Sequence, residues 1–210
     1  MKNSKLTGVV LAGGQGQRMG GTDKAQLELG GGTLLARVVG SLAEQVDRVI
    51  VNSNTADLGR VERAEAVIGD VVLGFAGPLA GVDAAMRWNA EQPEMHPFVL
   101  SIATDTPFFP HSLASEMLAA VSHDSQIAIA QSRGINQPVF GLWPQRLHED
   151  LAAWLEDPSN RKVMAWVRQH DHVFVEFPPY AKDDHMVDPF FNINTPDDLA
   201  TANRMIRSGM

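Results

Sequence analysis

The sequence predicts an α/β fold in which helices cover both faces of a mostly parallel central sheet. Short apolar segments alternate with helical patterns along the first 121 residues, which is typical of parallel strands joined by crossover helices. The chain has 210 residues, 44% of them hydrophobic, and a chain of this size buries roughly 70% of its unfolded surface. No internal repeat or low-complexity stretch is visible. We therefore expect one domain over residues 1–210.

The first apolar segment, residues 6–10, predicts a short buried strand. It leads into a loop at residues 11–24 that holds five glycines together with Arg18 and Lys24. Glycine permits positive φ and lets backbone N–H groups approach a ligand, and the two cations add charge where those amides add dipoles. This combination favours a phosphate-binding loop over an ordinary strand-to-helix turn.

Two well-known phosphate loops do not fit these residues. A P-loop requires lysine directly after its last glycine, whereas Thr22 and Asp23 separate Gly21 from Lys24. The dinucleotide motif G-x-G-x-x-G lacks its third glycine, because Met19 occupies that position. An ordinary P-loop ATPase or NAD-dependent enzyme is therefore disfavoured.

The next elements continue the alternation of strand and helix. Thr33 has the properties of an N-cap, and the helix after it directs five apolar residues inward, namely Leu34, Leu35, Val38, Val39 and Leu42. Strands are predicted at 47–52, 66–68 and 98–103, and helices at 78–90 and at about 111–121.

The second half of the chain has a different pattern. Strands are predicted at 126–130, 138–143 and 173–177, and helices at about 146–156 and 161–169. Pro138 suggests a sheet edge or a strand start, and an antiparallel element is expected in this half. Residues 178–184 are predicted to form an exposed loop able to close over a substrate. A terminal helix begins at the sequence Thr195-Pro196-Asp197-Asp198.

Composition excludes several classes of function. The formal net charge of -8 argues against broad binding to nucleic acid or to an anionic membrane. The chain has no cysteine, which excludes disulfides and thiolate chemistry. No signal-peptide pattern or long apolar segment is apparent, so we expect a cytoplasmic protein. We expect a monomer.

Polar residues follow the predicted strands at their carboxyl ends, where open α/β sheets bind ligands. After the glycine-rich loop these residues are Asn52, Asp70, Asp105, Asn192 and Asn194. Asp105 is suited to hold Mg²⁺, which prefers oxygen ligands and shares them with phosphates; it is equally suited to cap the Thr106-Pro107 turn. Opposite a cationic loop, nucleotide-phosphate chemistry is favoured for Asp105. Asp70, after Gly69, has the simpler alternative of a turn.

Four motifs resemble the molybdenum cofactor guanylyltransferases (the MobA family of the nucleotidyltransferase superfamily). They are LAGGQGQRMGGTDK at 11–24, GPLAG at 77–81, TDTPFFP at 104–110 and FNINTPDDL at 191–199. The resemblance spans essentially the whole chain, and its more specific parts are Gly20-Gly21 followed by x-Asp-Lys and the distal N-x-N-T-P. It implies a Rossmann-like nucleotidyltransferase fold. The implied reaction transfers GMP from GTP to the phosphate of molybdopterin, usually loaded with molybdenum, and releases pyrophosphate.

The resemblance also implies roles for particular residues. Those matching the nucleotide-binding positions are Leu11, Ala12, Gly13, Gly14, Lys24, Asn52, Asp70 and Asp105. Arg18, Lys24 and Asp105 take catalytic roles, with Asp105 as the Mg²⁺ ligand. Asn192 and Asn194 match positions on the pterin side of the site, and the basic stretch 160–162 matches a segment near that side. Client molybdoenzymes or their chaperones are implied as further partners.

Three alternatives remain open at this stage. The sister cytidylyltransferase and a sugar-phosphate nucleotidylyltransferase share the fold, and base choice cannot be derived from residue spacing. The third is a non-catalytic carrier of the cofactor. The presence of both Lys24 and Asp105 argues against a carrier, because a carrier needs affinity but no stabilisation of charge during a reaction.

Overall fold

The computed structural model describes residues 5–13, 18–19, 22–54, 58, 60–71, 77–182 and 185–208. Within them the strands are β1 (Leu6–Leu11), β2 (Arg18–Met19), β3 (Thr22–Asp23), β4 (Glu28–Leu29), β5 (Gly32–Thr33), β6 (Arg48–Asn52), β7 (Ala66–Ile68), β8 (Phe98–Ala103), β9 (Ile127–Ser132), β10 (Ile135–Pro144), β11 (His172–Glu176), β12 (Tyr180–Lys182) and β13 (His185–Val187). The α-helices are α1 (Leu34–Leu42), α2 (Pro78–Ala90), α3 (Leu113–Ala120), α4 (His148–Leu155), α5 (Val163–Val167) and α6 (Pro196–Arg207).

The central sheet has seven strands in the order β11-β9-β10-β8-β1-β6-β7. Strand β1 is parallel to β6 and to β8, and β6 is parallel to β7. Strand β10 is antiparallel to both of its neighbours, β8 and β9. The predicted mostly parallel sheet with an antiparallel element in the C-terminal half is therefore confirmed.

Helices pack on both faces of this sheet because its strands are apolar on both faces. Successive side chains of β1 point to opposite faces of the sheet. Val9 and Val10 are both fully buried, but they belong to different hydrophobic clusters. The cluster that contains Val10 includes residues of α1 and α3, and the cluster that contains Val9 includes residues of α2, α4 and α5. The last residues of β1 and β8, Leu11 and Ala103, pack against these clusters, whereas Asn52 at the end of β6 belongs to neither and places a polar side chain there.

The caps of two helices agree with the sequence patterns. The Thr33 side chain accepts a hydrogen bond from the backbone of Ala36 at the start of α1. Thr195 and Asp198 form a capping box at the start of α6, with Pro196 in the first turn. These local signals placed both helix starts correctly.

Pro138 corrects one prediction. It lies inside β10, which begins at Ile135, and so it is not at a strand start; the part of β10 that pairs with β8 begins only at Gly141. The register between β10 and β9 shifts between Gln137 and Gly141. Because proline has no N–H to donate, it fits where the ladder is interrupted.

The prediction of a loop over residues 178–184 is also partly wrong. Residues 180–182 form β12, which pairs antiparallel with β13, and residues 183–184 lie outside the described part of the chain. Val187 of this hairpin is buried, with 2% of its surface exposed. Among the described helices, none is both long enough and apolar enough to cross a membrane. One domain over residues 1–210 stays a prediction.

Candidate active site

Three parallel strands end side by side in register. Leu11, the last residue of β1, is the partner of Asn52 on β6 and of Ala103 on β8. Beyond the strands the backbones remain joined, because Ala12 N donates to Asn52 O at 2.8 Å and the Thr104 hydroxyl donates to Leu11 O at 2.9 Å. The segments that follow these strands therefore all start at the carboxyl end of the parallel strands.

Asp70 is held by two asparagine side chains at this end of the sheet. Asn52 Nδ2 donates to Asp70 Oδ1 at 2.9 Å, and Asn54 Nδ2 donates to Asp70 Oδ2 at 2.7 Å. Asn54 Oδ1 also accepts the backbone N–H of Asp70 at 2.8 Å. The structure thus brings the predicted pair Asn52 and Asp70 together, and it adds Asn54 as a residue that orients the carboxylate.

Gly81 explains why the GPLAG motif ends in glycine. A Cβ at this position would lie 2.5 Å from Asn52 Oδ1 and 2.7 Å from a Leu11 side-chain carbon, closer than such atoms can approach. The absence of a side chain lets α2 pack directly beneath the ends of β1 and β6. Sequence reasoning assigned no site role to this glycine.

Lys24 lies between Asp105 and Asn194. Its Nζ is 3.5 Å from Asp105 Oδ2 and donates to Asn194 Oδ1 at 2.5 Å. The side chains of Lys24 and Asp105 are 16% and 28% exposed, so the ion pair is partly shielded from solvent yet accessible to a ligand. Ala25, next to Lys24, is buried and anchors the start of this turn.

The segment before α6 is fastened to the loop after β8. Ile193 is fully buried and its backbone N–H donates to Asp105 O at 2.8 Å. The Thr106 hydroxyl donates to Asn192 Oδ1, and Thr106 is itself fully buried. Asn192 and Asn194 flank the buried isoleucine, and the contacts of both converge on the Asp105 loop and Lys24.

Asp198 fixes the backbone on the other side of Asn194. Its carboxylate accepts the N–H of Asn194 at 3.0 Å and the N–H of Thr195 at 2.8 Å. The hydrogen bond from Asn194 is the largest effect that lowers the pKa of Asp198, followed by the hydrogen bond with the Thr195 side chain; the charge of Lys24 contributes least. The capping box of α6 is therefore also a support of the site.

The donor set around Asp105 fits a hard divalent cation. Asp105 offers carboxylate oxygens, the ligands that Mg²⁺ prefers, whereas the amide oxygens of Asn192 and Asn194 accept hydrogen bonds from Thr106 and Lys24. Among the residues that the structure describes, no group of three or more His, Cys, Asp or Glu side chains is arranged to hold a metal. A cation at Asp105 would thus take most of its ligands from water and from substrate phosphates, as Mg²⁺ commonly does.

Two predicted residues lie beyond what the structure settles. Gly14 is outside the described residues. Arg18 belongs to β2, which pairs with β3, the strand directly before Lys24. Their roles stay predictions.

The basic stretch 160–162 lies beside the start of α2, because a Cβ at Gly77, which has φ 75°, would be 3.3 Å from Arg161 O.

Three supporting residues were not identified from the sequence. Asn54, Thr106 and Asp198 each make a hydrogen bond to a predicted site residue. From the sequence, Thr106 is predicted to lie in a turn and Asp198 in a helix cap, and neither is assigned a role in the site although both belong to motifs of the family. Thr106 reaches Asn192 across 86 positions of the chain, whereas Asn54 and Asp198 lie only 16 and 4 positions from Asp70 and Asn194.

The fold and the match to a family model identify the chain as a nucleotidyltransferase. The MobA-like NTP transferase domain family matches residues 8–173, and this chain belongs to that family. A molybdenum cofactor guanylyltransferase of Rhizobium johnstonii is 43% identical over 208 residues, which is 99% of this chain and 96% of the relative. The predicted family is therefore confirmed.

Solved structures agree on the fold. Molybdopterin-guanine dinucleotide biosynthesis protein A from Archaeoglobus fulgidus superposes with a TM-score of 0.69 at 21% identity, covering 96% of this chain and 98% of the other. A Mycobacterium tuberculosis protein solved in complex with manganese gives a TM-score of 0.67 at 16% identity, with the same coverage. The predicted nucleotidyltransferase fold is confirmed.

Proposed function

We propose that this protein transfers GMP from GTP to the phosphate of molybdopterin, releasing pyrophosphate and forming the guanine dinucleotide cofactor. The observation that carries the proposal is the pairing of Lys24 with Asp105, two residues beyond the end of β8, in a chain 43% identical to a molybdenum cofactor guanylyltransferase. The cytidylyltransferase alternative is not favoured by these relatives. The cytoplasm, where GTP is available, a monomeric state and delivery to client molybdoenzymes or their chaperones belong to the same proposal.

The reaction requires little covalent chemistry from the protein. A phosphate oxygen is already an anionic nucleophile, so the main demands are in-line positioning of two polyanions and stabilisation of charge on the leaving pyrophosphate. In the proposal Lys24 and Arg18, with the backbone amides of the glycine-rich loop, stabilise the charge on the β and γ phosphates. Leu11, Ala12, Gly13, Gly14, Asn52 and Asp70 provide the remaining contacts to GTP.

The cation of the proposal is Mg²⁺, held by Asp105. Bound there, the cation would supply positive charge that stabilises the phosphates of the nucleotide. The support is the oxygen donor set at Asp105, together with a structural neighbour solved with manganese. Asn192 and Asn194 contact the pterin substrate from the other side of Asp105. The carbonyl oxygen of Asn192 already accepts from Thr106, so its NH₂ group is the end suited to the acceptor atoms of that substrate.

The test is release of pyrophosphate from GTP in the presence of Mg²⁺ and molybdopterin. We expect release with GTP and not with CTP or ATP, and we expect Asp105→Asn to remove it while the Lys5→Met variant, changed far from the site, keeps it. Release with CTP instead of GTP would make the protein a cytidylyltransferase. If calorimetry shows that both substrates bind but no pyrophosphate forms, the protein is a carrier and the proposal is wrong.

A further inference from the structure

Lys24 contacts two parts of the candidate site with a single ammonium group. The same Nζ that lies 3.5 Å from Asp105 Oδ2 donates to Asn194 Oδ1 at 2.5 Å. The ammonium thus lies against the carboxylate that is suited to hold a divalent cation. Two positive groups beside one carboxylate repel each other, and partial burial weakens the screening of that repulsion by solvent and salt.

We propose that Lys24 competes with the divalent cation for Asp105 in the ligand-free protein. The ammonium neutralises Asp105 and keeps the cation out until the phosphates of the nucleotide attract Lys24 away from the carboxylate. The cation consequently binds together with the nucleotide and not before it. The role of the nucleotide rests on the proposed function, whereas the competition between ammonium and cation requires only the observed contacts.

The local structure permits such a movement. Lysine carries its charge on a flexible four-carbon chain, and Lys24 opens a short 3₁₀ turn, Lys24–Gln26, whose next residue, Ala25, is buried. The backbone can therefore stay in place while Nζ changes partners. A nucleoside triphosphate carries several negative charges, so it attracts the ammonium group of Lys24 more strongly than one carboxylate does.

The same movement links the nucleotide to Asn194. When Nζ leaves, Asn194 Oδ1 loses its donor, while the Asn194 backbone stays fixed by its hydrogen bond to Asp198. Only the side-chain amide of Asn194 then gains freedom to accept from a second ligand. Lys24 thus couples occupation of the nucleotide half of the site to the hydrogen-bonding state of Asn194.

The test measures binding of Mn²⁺ alone, without nucleotide or pterin, from the electron paramagnetic resonance signal of the free ion. Lys24→Met removes the charge and keeps most of the side-chain volume, and Lys24→Gln is a second neutral variant. The matched control is Lys5→Met, because Lys5 also pairs with a carboxylate, Glu94, at 2.5 Å, but at an exposed position before β1. Thermal melting verifies that each variant is folded.

We expect both Lys24 variants to bind Mn²⁺ about tenfold more tightly than the wild type, since a like charge beside the ligand has been removed. Lys5→Met should bind as the wild type does, and adding Asp105→Asn to Lys24→Met should abolish the gain. Equal affinity of wild type and both Lys24 variants would overturn the proposal. A gain that survives Asp105→Asn would overturn it too, because the ion would then lie elsewhere. No substrate is present, so a failure here is distinct from a failure of GMP transfer.

Discussion

Polar side chains gather at both ends of the central sheet, and the two groups differ in burial and in charge. The amino-end network consists of Thr7, Asn89, His96 and Gln145, all at most 6% exposed. The carboxyl-end cluster consists of Lys24, Asp105, Thr106, Asn192 and Asn194, in which Lys24 and Asp105 form a partly exposed ion pair. One group is closed to solvent, whereas the other presents charge to it.

The amino-end network satisfies its own hydrogen bonds. Asn89 Nδ2 donates to His96 O at 2.9 Å and to Gln145 Oε1 at 2.7 Å, and Asn89 Oδ1 accepts from the Thr7 hydroxyl at 2.9 Å. These bonds join helix α2 to the starts of β1 and β8 and to the end of β10. A buried polar network with every group paired contributes to stability and to a unique packing.

The difference shows how burial separates structural from functional polar residues in this protein. At the amino end each polar atom of Asn89 is used internally, so nothing remains for a ligand. At the carboxyl end the ion pair of Lys24 and Asp105 can open, and each side chain can then bind a ligand of opposite charge. This leaves no buried polar group without a partner. We therefore expect changes at the carboxyl end to affect activity and changes at the amino end to affect stability.

The largest expected effect is that of Lys24→Ala on turnover. Removing one donor that stabilises the charge of the leaving group lowers kcat by on the order of 100-fold or more. The midpoint of thermal unfolding should change little, because the Lys24 pair is partly exposed. The measurement is the steady-state rate of pyrophosphate release, with Lys5→Ala as the control. Unchanged turnover of Lys24→Ala would remove this residue from the catalytic group.

Asn89→Ala should have the opposite pattern. It leaves Thr7, Gln145 and the backbone of His96 without their partner in a buried network, which we expect to lower the free energy of unfolding by about 2 kcal/mol. Urea denaturation measures this loss. The kcat of the folded variant should equal that of the wild type, and a drop in kcat at a temperature where it is folded would contradict the separation of the two ends.

Thr106→Val tests whether a buried residue can belong to the functional end. Valine preserves the shape but removes the hydroxyl that donates to Asn192 Oδ1, so the Asn192 amide loses its fixed orientation. We expect kcat/KM for the pterin substrate to fall about tenfold, as for a misplaced binding group. Thr106→Ser restores the hydroxyl and should restore most of kcat/KM. Equal defects in the two variants would indicate a packing role only.

The smallest expected effect is a pH dependence of stability from the amino end. Burial, with a smaller contribution from the charge of Arg48, lowers the pKa of His96 below its ordinary value of 6.5. His96 therefore binds a proton more readily in the unfolded chain than in the folded protein. The free energy of unfolding is highest above pH 6.5 and decreases as the pH falls from 6.5 toward the pKa of His96 in the folded protein. The measurement is the midpoint of urea denaturation between pH 7.5 and about pH 5. His96→Gln should show a shallower decrease, and an identical slope would exclude His96 as its source.

Much of the fold was predictable because its signals are local. The proline and the apolar spacing of residues 78–90 place α2 correctly, and the capping residues of α1 and α6 mark where these helices begin. The apolar run of β8 was likewise predicted with its observed bounds. These features depend on neighbours within a few positions, so the sequence contains them directly.

The prediction for Pro138 failed for a reason that is not local. The strand was predicted correctly, but it begins at Ile135, before Pro138, because residues 135–137 pair with β9 ahead of the part that pairs with β8. Strand pairing depends on how distant segments cross the sheet, and proline fits at this position because the ladder with β9 is irregular between Gln137 and Gly141 and the pairing with β8 starts at Gly141. No residue next to Pro138 in the sequence carries that information.

The sequence by itself determined which residues follow the strands, and so which side chains were candidates for the site. Only the tertiary structure decided their partners: Lys24 with Asn194, 170 positions away, and Thr106 with Asn192, 86 positions away. Such contacts arise when Ile193 enters the core and brings its two neighbouring asparagines to the loop after β8. Residue type and spacing specify local conformation, whereas the pairing of distant segments is set by the packing of the whole core.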